Sequence, residues 1–103
     1  MKKIVEIQTT YPDMSTALKA SQHLVSLALA ACSNIVAAQS IYQWDGKLQQ
    51  DSESLLILKT TLEKIDATLD AIKKNHPYEL PSIVYFEVNT TDEYGGWVQD
   101  ACK

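Results

Sequence analysis

Two β-type segments, each about twelve residues long and so twice the ordinary strand length, flank the dipeptide Asp45-Gly46, and no other feature constrains the fold as much. Asp-Gly is the strongest short hairpin signal, because both residues tolerate the positive φ angles of a type I′ turn. Residues 33–44 and 47–59 therefore predict a long antiparallel hairpin. A two-residue turn places Trp44 opposite Lys47, and Cys32 opposite Lys59 if the pairing extends that far.

The segment before the hairpin predicts a strand followed by a helix. Residues 4–9 form a short β-type run, and Pro12 ends it because proline cannot extend a central strand. Asp13 is a good N-cap residue. Apolar residues recur from there at three- and four-residue spacing, which predicts an amphipathic helix running to about Ala30.

The segment after the hairpin predicts a helix, a strand and a last helix. Thr60 and Glu63 have the spacing of a capping box, and His76-Pro77 ends the helix that follows. Residues 83–88 predict a fourth strand, and residues 90–93 form a second capping box. Gly95 and Gly96 each weaken the terminal helix by up to about 1 kcal/mol relative to Ala.

This order of elements is that of the ferredoxin-like βαββαβ fold, an α+β architecture, here with a long β2-β3 hairpin and an added C-terminal helix. We expect residues 1–103 to form one domain. Residues 55–58 and 83–86 are apolar on both faces of their strands, although a sheet of this kind carries helices on one face and is usually wet on the other. A second subunit is the simplest cover for the other face.

The charge of the chain excludes several classes of binding function, and its cysteine content indicates a cellular compartment. All nine cationic residues are Lys, against thirteen Asp and Glu, for a net charge of −4. Without Arg, an acidic chain is a poor binder of nucleic acids, anionic membranes and phosphate groups. We find no signal peptide or membrane-length apolar run, and Cys32 and Cys102 form no disulfide framework, so we expect a cytoplasmic protein with free thiols.

Three clusters of side chains are candidates for chemistry, and each has a structural alternative. His76 could bind a metal ion, with Glu79 as its close partner, or could belong to a helix-stop turn whose Tyr78 fills an interface. Tyr42 and Trp44 at the hairpin tip could recognise a ligand or pack against a neighbouring subunit.

Cys32 opposite Lys59 could be an activated thiol or a small buried residue. Glu53 and Lys59 share one strand face about 20 Å apart and each needs a partner. No nucleophile with a neighbouring base can be argued, so we do not expect an enzyme.

The chain resembles the CutA family of divalent-cation tolerance proteins along essentially its whole length. The resemblance rests on six motifs in order: 10–13 with Ala17, 29–35, 40–47, 51–60, 76–81, and Tyr94 with Trp97. It implies a ferredoxin-like homotrimer, similar in architecture to the trimeric PII signal proteins. In some members of the family a second His and a Cys are plausible metal ligands beside this His. The corresponding positions in this chain resemble Asn75 and Thr9, so His76 is the one ligand of the three that this chain keeps.

Two functions follow from the resemblance. The first is a trimeric protein that responds to or binds divalent metal ions such as copper, with His76 and Glu79 as metal ligands. The alternative is a PII-like scaffold that binds a small effector or a partner protein between subunits. No resident cofactor is expected, and Cu(II) or another divalent cation is the candidate ligand. The residues expected to line the inter-subunit cleft are Cys32, Tyr42, Trp44, Glu53, Lys59, His76 and Tyr78. Those expected at the trimer interface are Tyr42, Trp44, Tyr78 and Trp97.

Overall fold

Residues 2–103 are described by a computed structural model, and they form a four-stranded antiparallel sheet with three α-helices. The elements are β1 Lys2–Tyr11, α1 Met14–Ser26, β2 Cys32–Trp44, β3 Lys47–Thr60, a 3-10 turn Leu62–Lys64, α2 Ile65–Asn75, β4 Ile83–Thr90 and α3 Asp92–Ala101. The sheet order is β2-β3-β1-β4. The predicted α+β, ferredoxin-like order of elements is confirmed.

The long hairpin has the predicted register. Pairing between β2 and β3 runs without a break from Cys32 opposite Lys59 to Trp44 opposite Lys47. Asp45 and Gly46 adopt φ angles of 53° and 75°, as a type I′ turn requires. Pairing between β3 and β1 reaches only as far as Ser54, so the outer half of the hairpin projects beyond the sheet.

The first face of the sheet carries α1 and α2 over the main core. Alternate residues of β1 and β3 point to this face, because side chains alternate along a strand. They pack with the inward residues of the two helices. The buried members of this cluster are Val5, Ile7, Tyr11, Ala17, Leu24, Ala30, Leu56, Leu58 and Ile72.

The helix α1 ends at Ser26, four residues before the predicted end at Ala30. Asp13 is its N-cap as predicted, accepting a hydrogen bond from the Thr16 N–H at 2.8 Å. At the other end, Ala28 takes a φ of 58°, and the Leu29 N–H donates to the Leu24 carbonyl at 3.0 Å. This is a Schellman motif with alanine in the left-handed position that glycine usually occupies. The prediction was wrong there because Ala28 continues the apolar spacing and favours helix.

The two predicted capping boxes are also wrong in detail. Thr60 lies within β3, where its hydroxyl donates to the Leu29 carbonyl at 2.7 Å, and α2 begins only after the 3-10 turn. The N-cap of α3 is Thr91 rather than Thr90, and its hydroxyl accepts from the Tyr94 N–H at 3.3 Å. Each pair of adjacent threonines offers two possible N-cap residues, and the packing of the helix on the sheet decides which one is used.

The second face of the sheet is only partly covered. Helix α3 packs Val98 and Cys102 against Ile4, with Val88 at the margin. The sequence predicts a second subunit as the cover of this face, whereas α3 of the same chain covers one end of it. Farther along, Val36, Val84 and Phe86 remain 47%, 51% and 44% exposed. Their cross-strand partners Leu55, Gln8 and Glu6 place all three on this face.

Candidate functional site

His76 lies directly after α2, where the extended backbone of the residue before Pro77 ends the helix. Its ring stacks on Tyr11, with centroids 4.4 Å apart and an interplanar angle of 17°. On another side the ring of Tyr78 lies 5.2 Å away at an angle of 42°. Tyr11 is 1% exposed, so the imidazole rests against the main core.

Hydrogen bonds occupy both ring nitrogens of His76. The backbone N–H of Tyr78 donates to Nδ1 at 3.2 Å. Because Nδ1 accepts, the neutral ring carries its proton on Nε2, which lies 3.1 Å from the Thr9 hydroxyl. Burial lowers the pKa of His76 from its ordinary value, although a hydrogen bond with the Thr10 backbone and the charge of Glu53 oppose the shift. The folded protein therefore favours a neutral imidazole with no free lone pair.

Two tyrosine–carboxylate contacts lie near the middle of the hairpin, and one of them joins it to the His76 corner. The Tyr78 hydroxyl donates to Oε2 of Glu53 at 2.6 Å. Burial raises the pKa of Tyr78, and the bond to Glu53 raises it further. The exposed Tyr42 hydroxyl donates to Asp51 at 2.5 Å, and this bond raises the pKa of Tyr42. Both phenols therefore remain hydrogen-bond donors to carboxylates at neutral pH.

A second group forms around Cys32, at the end of the hairpin opposite the Asp45-Gly46 turn. Its sulfur lies 3.1 Å from the Tyr94 hydroxyl, and the Tyr94 ring stacks on Trp97 with centroids 5.8 Å apart. Burial raises the pKa of Tyr94 to about 12, with a further contribution from the hydrogen bond with Cys32. Lys59 lies opposite Cys32, and its Nζ is 3.9 Å from Oε1 of Glu6.

Within one chain the expected cleft residues therefore fall into two groups. Glu53, His76 and Tyr78 form the first, with Tyr42 farther out on the hairpin, while Cys32 and Lys59 belong to the second. Glu53 and Lys59 are six positions apart on β3, which is about 20 Å at ordinary strand rise. A single subunit does not bring the seven residues into one cleft.

The residues expected at a trimer interface are accessible to different degrees. Trp44, Trp97 and Tyr42 are 57%, 49% and 41% exposed. Tyr78 is half-buried against His76 and Glu53 of its own chain. Three of the four side chains are thus free to contact a neighbouring subunit, and the fourth already packs within its own.

The expected metal ligands do not form a three-ligand set. His76 is half-buried, and Glu79 lies exposed three residues later. Among residues 2–103, no group of three or more His, Cys, Asp and Glu side chains is arranged to hold a metal ion. Asn75 stands where some family members have a His. Its side-chain NH₂ group donates to the Ala71 carbonyl at 3.1 Å within α2.

Several contacts in these groups were not predicted from the sequence. Thr9 and Tyr11 contact His76, Glu6 pairs with Lys59, and Tyr94 contacts Cys32. Glu6 could have been found by pairing β1 with β3, because the two charges are cross-strand neighbours. The other three contacts follow from how the helices pack on the sheet, and no local pattern signals them.

Comparison with known proteins identifies the family. The family model described as CutA1 divalent ion tolerance protein matches residues 5–101. The divalent-cation tolerance protein CutA of Escherichia coli O139:H28 is 36% identical over 101 residues, which cover 96% of this chain and 90% of that protein. This chain belongs to the CutA1 divalent ion tolerance family. The chloroplastic CutA protein of Arabidopsis thaliana is 32% identical, and the match spans 96% of this chain but only 56% of that protein's length.

Solved structures of the family share the fold. CutA1 from Ehrlichia chaffeensis superposes with a TM-score of 0.94 at 32% identity, covering all of this chain and 98% of that one. A periplasmic divalent cation tolerance protein CutA from Archaeoglobus fulgidus gives 0.93 at 28% identity, covering 99% and 100%. Among residues 2–103, no helix has the length and apolar character needed to cross a bilayer.

Proposed function

We propose that this chain acts in divalent-cation tolerance as a single-domain, non-catalytic subunit of a homotrimer. The observation that carries the proposal is the uncovered apolar part of the second sheet face. Val36 lies there on β2, and Val84 and Phe86 lie there on β4, each at least 44% exposed. Large apolar side chains exposed on one face of a sheet favour an interaction site there, and a neighbouring copy of the same chain supplies matching apolar surface.

Sedimentation analysis tests the assembly. We expect the wild type to have three times the 11.5 kDa mass of one chain. Phe86→Asp places a charge on the second face and should dissociate the trimer. Tyr85→Asp is the matched control, because the next residue along β4 points to the opposite face and is also exposed. A wild-type monomer, or equal dissociation by both variants, would contradict the proposal.

The role in tolerance has two molecular forms. In the first, the protein binds a divalent ion such as Cu(II) through His76, with Glu79 or a neighbouring subunit's carboxylate completing the site. A half-buried imidazole followed three residues later by an exposed carboxylate supports this form. The ion needs a free lone pair, so Nδ1 has to exchange its hydrogen bond with the Tyr78 N–H for the metal.

Calorimetry with Cu(II) tests direct binding. Saturable binding should disappear in His76→Ala and persist in the control His23→Ala, which removes an exposed imidazole from α1. The control matters because a net charge of −4 per chain attracts cations without selectivity. Absence of saturable binding by the wild type contradicts this form.

In the second form, the trimer is a PII-like scaffold that binds a small effector or a partner protein between subunits. The saturated hydrogen bonding of His76 favours this form over a preformed copper site. Support also comes from the Tyr78–Glu53 and Lys59–Glu6 contacts, which hold charged groups beside the uncovered face. An effector binding there need not carry phosphate, since the chain has no Arg.

A crystal structure of the trimer soaked with Cu(II) separates the two forms. Copper at His76 supports direct binding, whereas an open cleft lined by the Cys32 and Glu53 groups of two subunits supports the scaffold. A tightly filled subunit boundary contradicts the scaffold.

We propose that the protein is cytoplasmic, and the free cysteines Cys32 and Cys102 support this compartment. Cell fractionation tests this, and recovery with a secreted or organellar fraction would contradict it.

A further inference from the structure

An open cleft lies at the end of the sheet where β1 begins and β3 ends. The 3-10 turn forms one wall and the C-terminal end of α3 forms the other. Its volume is ≈ 560 Å³, within the range of small-molecule sites. Cys102 lines the cleft and is only 3% exposed, because it packs with Ile4 and Val98. The cleft therefore has a buried side chain in its lining within a single chain, and it shares no lining residue with the His76 and Cys32 groups.

Most of the charged residues that line this cleft are lysines, although the protein as a whole is acidic. Lys3, Lys64 and Lys103 line it, and Glu63 is the one acidic residue among its lining residues. Three positive charges thus converge with one negative charge in a chain whose net charge is −4. This local excess of lysine favours anions over cations in the cleft.

Two of these lysines lack an anionic partner. Within the described part of the chain, Lys3 and Lys64 form no ion pair, whereas Lys103 pairs with Asp100 at 3.0 Å on the surface. Lys64 is also half-buried. An anionic ligand in the cleft would supply the partner that these two lysines lack.

Neutral donors complete the lining. The Thr61 hydroxyl makes no cap hydrogen bond to the 3-10 turn, so it can serve a ligand. The side-chain Oε1 of Gln99 accepts a hydrogen bond from Nζ of Lys2 at 3.5 Å. The side-chain NH₂ group of Gln99 therefore remains available as a donor to a ligand. Ammonium, hydroxyl and amide groups together suit a ligand rich in anionic oxygens.

We infer that this cleft binds a small molecule carrying two or more negative charges on phosphate or carboxylate oxygens. Lysine acts as a point charge and lacks the planar fork with which arginine matches phosphate geometry. Recognition therefore depends on charge number and size. The site shares no lining residue with the proposed metal site or with the proposed inter-subunit cleft.

Calorimetric titration of the full chain with pyrophosphate and with citrate, at constant ionic strength, tests the inference. We expect one saturable site per chain for at least one of the two probes. Each single variant Lys3→Gln, Lys64→Gln and Lys103→Gln should weaken binding about 2- to 5-fold, as the loss of one exposed ionic contact does. The triple variant should weaken it at least ~10-fold.

The matched control is the triple variant of Lys19, Lys73 and Lys74 to Gln. It removes the same charge and likewise one surface ion pair, that of Lys74 with Asp70. Binding by the control should equal that of the wild type. Glu63→Gln should tighten binding about 2-fold because it removes the opposing charge, whereas Glu87→Gln on β4 should not.

Binding of pyrophosphate alone identifies a phosphate ligand, and binding of citrate alone identifies a polycarboxylate. No saturable binding of either probe, or equal losses in the cleft and control triple variants, overturns the inference.

Discussion

Gly95 and Gly96 are adjacent in α3, and replacing each with alanine should change stability in opposite directions. An ideal Cβ built on Gly95 lies 2.5 Å from Oγ1 of Thr90 and 2.6 Å from Cβ of Lys2. Real Cβ atoms do not approach other atoms so closely, so α3 has to move away from the sheet. A Cβ on Gly96 meets no atom within 4 Å.

The expected magnitudes follow from these distances. Gly96→Ala should stabilise the fold by about 0.5–1 kcal/mol, because alanine loses less backbone entropy than glycine in a helix. Gly95→Ala gains the same propensity but overpacks the contact between α3 and β1, which costs about 1–3 kcal/mol. The net result is a destabilisation of about 1 kcal/mol, so the two variants should differ by about 2 kcal/mol.

Urea unfolding followed by circular dichroism measures both changes. The protein concentration must be equal in all samples, because the stability of an oligomer depends on concentration. The matching m-values of the three proteins serve as the control that the unfolding transition is the same. If Gly95→Ala stabilises the protein as much as Gly96→Ala, the packing argument is refuted and helix propensity alone governs this helix.

Three further predictions concern the helix end and the His76 corner. Ala28→Gly should raise the free energy of unfolding by about 0.5–1 kcal/mol, because glycine adopts the left-handed Schellman position without strain; a decrease in urea midpoint would contradict this. Tyr78→Phe and Glu53→Gln should show a coupling energy of about 1 kcal/mol in a double-mutant cycle of unfolding, since they remove the same charge-assisted bond; additive effects would exclude it. The pKa of His76 is lowered on folding, so its contribution to stability is present above the unfolded pKa and is lost as pH falls through the folded one. Unfolding measured between pH 8 and pH 5 should therefore show a smaller acid loss in His76→Gln than in the wild type, and equal losses would contradict the shift.

The hairpin shows how far local sequence can predict this fold. Its register was predicted without error because Asp45-Gly46 prescribes a two-residue turn, and every later pair follows from the period of the strands. The end of α1 was not predicted. Ala28 carries no local signal for a left-handed conformation, and the turn there is held by buried contacts. The hydroxyls of Thr60 and Thr68 both donate to the Leu29 carbonyl at 2.7 Å.

The candidate site likewise has a part that the sequence predicted and a part that only the tertiary structure shows. His76 and Tyr78 were recognised because they follow a helix end marked by Pro77. Their partners Thr9 and Tyr11 lie more than sixty residues earlier, and only the packing of α2 on β1 brings them into contact. The pairing of Lys59 with Glu6 likewise depends on the order of strands in the sheet.

Sequence alone therefore determined the order of the elements, the hairpin register, the family resemblance and the absence of an arginine clamp, because each is read from neighbouring residues or from composition. Tertiary structure decided the protonated nitrogen of His76, the separation of the Cys32 and Glu53 groups, and the cationic cleft at the start of β1. It also decided that Gly95 and Gly96 differ. These properties depend on atoms that are distant along the chain and meet only when the helices pack on the sheet, so no local pattern encodes them.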